Sequence, residues 1–407
     1  MTPTQEAGQH RAMASIPRDE ALPALQELLS DQGRGLIGSL AAERGLRLLS
    51  VRIAQIRYEP GRSVVVQFRA QVAGGTSSPV DETWVATAGT DAPDGLPVFA
   101  IRDTTVSLWC YPDDPYLPGL AAAADPARIA PILHQLGADP GDDLRIRLRS
   151  YRPGRRAVIE VQAHPYRLFV KVVRPARVAA LQRRHERMAE HIAVPQTLGW
   201  SNEFGIVALQ AMPGQTLRSQ LEAGLRQPPS GSALMRLLDA LPSIDDARSV
   251  AGPIDRLPTH ARRITAVLPE ARERLDRLAE RIGAGEHEAA APVHGDFHSS
   301  QLLVDAGAVV GLIDVDTSGM GHRSDDLAVL LAHLATVGLG SRNSRNISRY
   351  GRELLAVFEK GASAADLRRR VAAAIVGFAT GPFRVQLANW PEETAARLGV
   401  AERWLET

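Results

Sequence analysis

The chain has a single cysteine, Cys110, so no disulfide closes within it, which fits a reducing compartment. That cysteine follows Trp109 in an apolar run and reads as a core residue rather than a nucleophile. Neither sign of charge is in excess. Against 47 basic residues stand 46 acidic ones, a net +1, and no footprint for nucleic acid or a membrane surface follows. Every apolar run is shorter than the ~18 residues of a membrane span. The opening MTPTQEAGQHRAMASIPRDE carries charges throughout and lacks the apolar centre of a secretion signal, so the sequence reads as cytoplasmic. Lysine is nearly missing: it occurs only at 171 and 360, and the other basic residues are arginines. Lys171, in the middle of the apolar LFVKVV, is therefore singled out. A compact ammonium on a flexible stem suits phosphates in a way that a planar guanidinium does not.

What is present implies two or three folding units, since 407 residues exceed the usual size of one core. Residues 1 to about 20 read as poorly ordered, and 20–44 as one or two short helices. Strands are expected at 51–60 and 62–72 around the turn pair Pro60-Gly61, then at 81–89 and over 98–111. A helix is expected at 125–137. YEPGRSVVVQFRA (58–70) is echoed by YRPGRRAVIEVQA (151–163), and a further strand follows each copy. Only the second copy leads to a lysine. Either a sheet has been duplicated, or two hairpins have converged on a Pro-Gly turn. The boundary between the units is placed near ADPGDD (138–143).

The most informative stretch begins at residue 294: HGDFHSSQLLVDAGAVVGLIDVDTSGMGHRSDDLA. Two short strands, 302–304 and 308–313, are joined by a turn near Asp305–Gly307. Such a hairpin carries Gln301 and Asp314 to the same end. Phosphoryl transfer needs this kind of set, because the protein's part is positioning and charge neutralisation. One carboxylate, Asp296, orients a hydroxyl and takes its proton. Asp314 and the amide oxygen of Gln301 suit Mg²⁺, a hard cation that takes oxygen ligands.

In order and spacing, His294, Asp296, Gln301, Asp314 and Asp326 resemble the aminoglycoside phosphotransferase and choline kinase group. That group's pattern is His-x-Asp-x-x-x-x-Asn, then Ile-Asp, then Asp-Leu/Ile-Ala. The departure is Gln301 in place of Asn, as in the maltokinase and glucosamine kinase branches. The resemblance implies an α+β, protein kinase-like two-lobe fold, with a β-rich N-lobe and a helical C-lobe. An additional N-terminal α+β cap domain would precede it. The expected divisions are 1–145 for the cap, 146–213 for the N-lobe and hinge, and 214–407 for the helical lobe. It also implies an ATP- and Mg²⁺-dependent kinase acting on a small-molecule hydroxyl. Sugars, amino sugars and aminoglycoside-like natural products are the implied acceptors. The near-neutral, arginine-rich composition favours neutral sugars over polycations.

Further residues take roles from the same resemblance. Lys171 would hold the nucleotide phosphates, braced by Glu186 fifteen residues on, with Glu190 as the competing partner. Backbone groups of Gln210, Ala211 and Met212 would hold adenine at the hinge. Arg152–Arg156 either covers phosphates or is a plain hairpin turn. Asp316 is a candidate for a second metal, while His294 and Asp326 are structural. His298 either approaches the substrate or packs. Arg384 and Trp390 are candidates for the acceptor pocket, with packing as the competing role. Zinc at His294 and His298 is excluded, since neither a cysteine nor a third histidine stands nearby. Only eleven residues separate Asp314 from Asp326, too few for a peptide-docking segment, so a protein kinase is disfavoured. The alternative of another class is a nucleotide-binding pseudokinase without turnover. Neither nucleic acid nor membrane is an expected partner.

Overall fold

Two short helices, α1 (Ala24–Leu29) and α2 (Asp31–Glu43), precede the first sheet, and the Ser30 hydroxyl caps α2 by accepting from Gln32 N. The computed structural model describes residues 16–406 apart from 76–77, 91, 93–94, 139–140, 142, 164–165 and 245–248. The expected disorder of residues 1–15 and part of the 138–143 boundary lie outside the described residues.

Strands β1 (Arg47–Glu59), β2 (Ser63–Ala73), β3 (Val80–Gly89), β4 (Val98–Ile101) and β5 (Thr104–Cys110) form an antiparallel sheet ordered β1-β2-β3-β5-β4. Helices α3 (Leu120–Ala123) and α4 (Pro126–Gln135) lead to a second sheet. Its members are β6 (Arg145–Arg152), β7 (Arg156–Ala163), β8 (Tyr166–Val173), β9 (Thr197–Ser201) and β10 (Ile206–Gln210), with α5 (Pro175–Ala189) between β8 and β9. The order is β6-β7-β8-β10-β9, the same design as the first sheet. Register carries the likeness to single residues: Val65 pairs with Thr87, and Val158, at the same place in the sequence echo, pairs with Lys171. A buried threonine thus stands in the first sheet where the lysine stands in the second.

The two sheets share a core. Val65, Val85 and Trp109 of the first meet Ile129 and Leu133 of α4 and Ala157, Ile159 and Val170 of the second. Period-two alternation sends the intervening Val64, Val66 and Phe68 to the other face, with α1 and α2. One polar network also joins the sheets. Trp109 Nε1 donates to the Tyr151 hydroxyl at 2.9 Å, which donates to Asp114 at 2.8 Å. The same Asp114 oxygen accepts Gly154 N at 2.7 Å and so fixes the β6–β7 turn, where Gly154 has φ +68°. Replacing Asp114 by Ala is expected to cost about 1–3 kcal/mol in denaturant unfolding, because a buried hydroxyl and an amide lose their acceptor. An unchanged midpoint would show that water replaces the carboxylate.

Beyond the second sheet come β11 (Gln215–Thr216), α6 (Leu217–Glu222), α7 (Gly231–Asp239), α8 (Pro253–Val267) and α9 (Arg272–Ile282). Four short strands follow: β12 (Ala291–Val293), β13 (Leu302–Asp305), β14 (Ala308–Leu312) and β15 (Gly319–Gly321). Helices α10 (Arg323–Gly340), α11 (Ser344–Phe358), α12 (Ala364–Ala379), α13 (Gly381–Arg384) and α14 (Trp390–Trp404) complete the chain. The polar GSRNSRNISR segment after α10 reads as a loop in sequence, yet its second half is the start of α11. Ile347, Tyr350, Leu354 and Phe358 bury one helical stripe there, and this outweighs the polar composition around them. The whole is an α+β, two-lobed fold with an additional sheet in front. Among the described residues, no helix is long and apolar enough to cross a membrane.

The first sheet touches both lobes through its edge strand β1. Arg57 donates to the Pro153 carbonyl in the β6–β7 turn at 3.2 Å. Glu59 accepts from Arg263 of α8, with Nε to Oε2 at 3.2 Å. The opening between sheet and helices is thereby roofed.

Candidate active site

Position 171 lies on β8, inside the second sheet, between Val158 of β7 and Val207 of β10. Its ammonium meets two carboxylates, Asp314 at 3.1 Å and Asp316 at closer range. Asp314 follows β14 in the left-handed conformation (φ +61°), which turns its side chain back towards the sheet. Arg156, the first residue of β7, closes the cluster from above. Its fork grips both oxygens of Asp314 at 2.8 Å, and one arm also reaches Asp316 at 2.9 Å. Burial opposes ionisation of Asp314, but Lys171 and Arg156 outweigh it and hold the carboxyl far below its ordinary range.

Glu186 is not part of this cluster. It is turned to solvent on α5, and Glu190 is also exposed and pairs with Arg187 at 2.6 Å. The inward stripe of α5 is Val178, Leu181, His185 and Met188, so helical periodicity puts His185 where a glutamate was expected. His185 is fully enclosed, its Nδ1 lying 3.2 Å from the Pro195 carbonyl. Burial, then the charge of Lys171, push its pKa down to about 4, so it is neutral at pH 7. A cationic neighbour would repel Lys171, and a neutral imidazole does not. The lysine is instead braced by Asp314 and Asp316. Arg184, also buried, donates to the Asp316 carbonyl at 2.8 Å and fixes that turn. The apolar stripe of α5 was the signal in sequence that pointed to 185 rather than 186.

The second group surrounds the loop between β12 and β13. Asp326, buried at the start of α10, accepts His294 N at 2.7 Å and Gly295 N at 2.9 Å. His294 Nε2 lies 3.1 Å from the Ile313 carbonyl, and the His294 carbonyl accepts from Thr317 at 3.0 Å. The loop is thus tied to the residues on either side of Asp314. Its tip presents Asp296 to an open cavity, with His298 Nε2 at 3.6 Å. Burial would raise the Asp296 pKa, but the neighbouring His298 outweighs it and holds the carboxyl below the usual carboxylate range. Behind His298 stands His333, stacked at 4.5 Å and bonded to the Ser299 hydroxyl at 2.9 Å. Burial pushes His333 down to about 3, so it packs as a neutral ring.

Gln301, at the end of the same loop, has its amide nitrogen 3.4 Å from Asp314 and 3.4 Å from His298 Nε2. Asp314, Asp316 and Gln301 therefore supply two carboxylates and an amide at one place. Mg²⁺ takes one or two carboxylates and completes its shell with water and substrate phosphates, so this donor set fits it. The fit has conditions: the Gln301 amide, whose nitrogen faces Asp314, has to present its oxygen, and Arg156 and Lys171 have to give up carboxylate oxygens.

At the hinge, Ala211 N donates to the Arg167 carbonyl at 3.3 Å, and the Met212 carbonyl accepts from Arg167 at 3.4 Å. The backbone groups expected to hold adenine are thus partly paired within the protein. Trp390 is buried edge-on against Phe383, at 5.0 Å, whereas Arg384 faces the cavity.

Residues 148–370 match the profile of the phosphotransferase enzyme family, APH. The aminoglycoside 3'-phosphotransferase of Escherichia coli is 33% identical over 160 residues, covering 35% of this chain and 58% of that protein. Among solved structures, macrolide 2'-phosphotransferase MphH from Brachybacterium faecium is 18% identical. That alignment covers 66% of this chain and 97% of the other, with a TM-score of 0.43. Aminoglycoside phosphotransferase APH(3'')-Id from Streptomyces rimosus is 24% identical over 61% of this chain and 97% of its own, with a TM-score of 0.44. The profile spans more than half of the chain, and the chain belongs to the phosphotransferase enzyme family.

Proposed function

We propose that the protein transfers the γ-phosphoryl group of ATP to a hydroxyl of a small molecule. The observation that carries this reading is the pairing of two sites on one loop. Asp296 opens onto a cavity of about 1210 Å³, while Gln301, five residues on, lies against Asp314 and through it the Lys171 cluster. An acceptor in the cavity and a nucleotide at the cluster would meet across that loop.

Asp296 would align the acceptor hydroxyl and take its proton as the new O–P bond forms. Lys171 would release its carboxylates and turn to the nucleotide phosphates. Arg156 would follow it from Asp314 to phosphate oxygens, since a guanidinium fork matches either partner. Asp314, Asp316 and Gln301 would hold Mg²⁺, which would supply charge neutralisation for the nucleotide phosphates. The first sheet and its helices would serve as a cap, roofing the acceptor cavity with Gln55, Arg57 and Gln67. A sugar or sugar-bearing natural product fits the cavity's size and its polar lining.

ATP consumption by the full chain with Mg²⁺, against hexoses, amino sugars, maltose, choline, aminoglycosides and a macrolide, tests this reading. Turnover with an acceptor, lost in Asp296→Asn, is the expected result. Mg-ATP binding without turnover of any hydroxylated acceptor would overturn it. The pH profile gives a second expectation. With its carboxyl held below the ordinary aspartate value of about 3.9, Asp296 is ionised across the neutral range. Its limb in kcat/KM should lie below about pH 4. A limb above pH 5 that moves in Asp296→Glu would contradict the assignment.

A further inference from the structure

The cavity in front of Asp296 is strongly and unevenly charged. Seven arginines line it, against three carboxylates. Arg218 is paired with Glu222 at 3.0 Å and Arg397 with Glu393 at 3.7 Å, which leaves Asp296 as the one acid not paired to an arginine. Among the described residues, no ion pair is made by Arg152, Arg155, Arg342 or Arg384. His260 and His333 are pushed down to about 4 and about 3, chiefly by burial, and are uncharged.

These arginines come from opposite sides of the cleft. Arg152 ends β6 at the turn beneath the cap, whereas Arg384 ends α13 in the helical lobe and Arg342 lies between α10 and α11. Enclosure by the cleft lowers the pKa of Arg384, and the charge of Arg152 lowers it further. Enclosure acts likewise on Arg152, followed by the charge of Arg156, while Asp314 and Asp296 act the other way. Arg152 therefore lies within the field of both the candidate base and Arg384. Arg152 and Arg384 line one cavity from opposite sides, and their like charges repel there until an anion arrives.

Resting on the phosphotransfer reading above, we infer that the acceptor carries an anionic group, a phosphate or a carboxylate, seated between Arg152 and Arg384. Its hydroxyl then reaches Asp296 from the same cavity. The guanidinium forks give planar, two-point recognition of such a group. A polycationic acceptor would meet four arginines against the single carboxylate of Asp296, so aminoglycosides are disfavoured by like-charge repulsion. Arg384 and Arg342 belong to the helical side of the cavity and are not part of the Lys171 cluster, so Arg384 is the arm of this subsite that is distinct from the nucleotide phosphates.

The decisive experiment is calorimetric binding of inorganic phosphate to the full chain saturated with a non-hydrolysable ATP analogue. Binding should weaken at least ten-fold in Arg384→Ala and in Arg152→Ala, with nucleotide affinity held in Arg384→Ala. Arg384→Lys serves if the alanine variant does not fold. Equal phosphate affinity in wild type and variants overturns the inference, as does a parallel loss of nucleotide affinity in Arg384→Ala. Turnover of glucose, glucose 6-phosphate, glucuronate, glucosamine and kanamycin separates the sources of the anion. Preference for the phosphate or the uronate, abolished in Arg384→Ala, supports the subsite and names its ligand. Preference for a neutral or cationic acceptor that Arg384→Ala leaves intact overturns it, while Asp296-dependent turnover upholds the kinase reading. Absence of all turnover, with phosphate binding still dependent on Arg384, upholds the subsite and defeats the kinase reading.

Discussion

Asp296→Asn is expected to lower kcat for the preferred acceptor by about 10²–10⁴-fold, the usual worth of a positioned general base. The substitution removes the proton acceptor and keeps the shape. The loop that carries it is held by other groups: Asp326 binds the amides of His294 and Gly295, and Thr317 binds the His294 carbonyl. Folding should therefore be unaffected, within about 0.5 kcal/mol in denaturant titration, as for substitutions away from buried networks. Nucleotide affinity should also hold, because Asp296 faces the acceptor cavity and the Lys171 cluster lies on the other side of Gln301. A fall in kcat without a rise in KM marks an interaction made in the transition state. Retained kcat would mean that the hydroxyl needs no base from this loop, and the assignment would fall.

Asp314→Asn should have the second-largest effect, on two observables at once. Turnover should be lost with the main carboxylate for Mg²⁺. Stability should fall as well, because Asp314 is the common partner of Arg156 and Lys171, and its loss leaves those two cations with Asp316 alone. Breaking a fully buried pair costs about 3–5 kcal/mol; with 19% of the Asp314 side chain exposed, about 1–3 kcal/mol is expected here. Backbone strain does not confuse the comparison, since asparagine tolerates the left-handed conformation that Asp314 adopts. The deficit should depend on pH. The folded carboxyl titrates below its unfolded value of about 3.9, so its stabilisation is complete above that value and fades as pH falls through the folded one. The gap between wild type and variant in urea should thus be constant from pH 8 to 5 and narrow progressively as pH falls below about 4. A gap that instead widens in acid would show that another group carries the charge balance.

Much of this was legible in the chain itself. The strand alternation at 62–72 and 156–163 set both sheets, and the Pro-Gly turns located their hairpins. The His-x-Asp, Gln and Ile-Asp spacing was enough to place Asp296, Gln301 and Asp314 around one loop, because a tight hairpin leaves few ways to connect them. Lys171 could be found by scarcity, being one of two lysines in the chain. The repeat visible at 58–70 and 151–163 returns as two sheets with one strand order.

Other features required the folded chain. Glu186 matched a spacing along the sequence, but spacing does not fix the rotation of a helix. Burial of Val178, Leu181 and Met188 does, and it turns His185 inward. Arg156 read either as covering phosphates or as part of a plain hairpin turn, and only the folded chain sets it against Asp314, 158 positions away. The contacts of the first sheet over the cavity join segments 96 and 204 positions apart, and Arg152 and Arg384 line that cavity from opposite ends of the fold. The sequence by itself determined the elements and the order of the chemical groups, since these follow from local pattern and short spacing. Only the tertiary structure decided which charges face one another, because that follows from how separate elements bury their apolar sides.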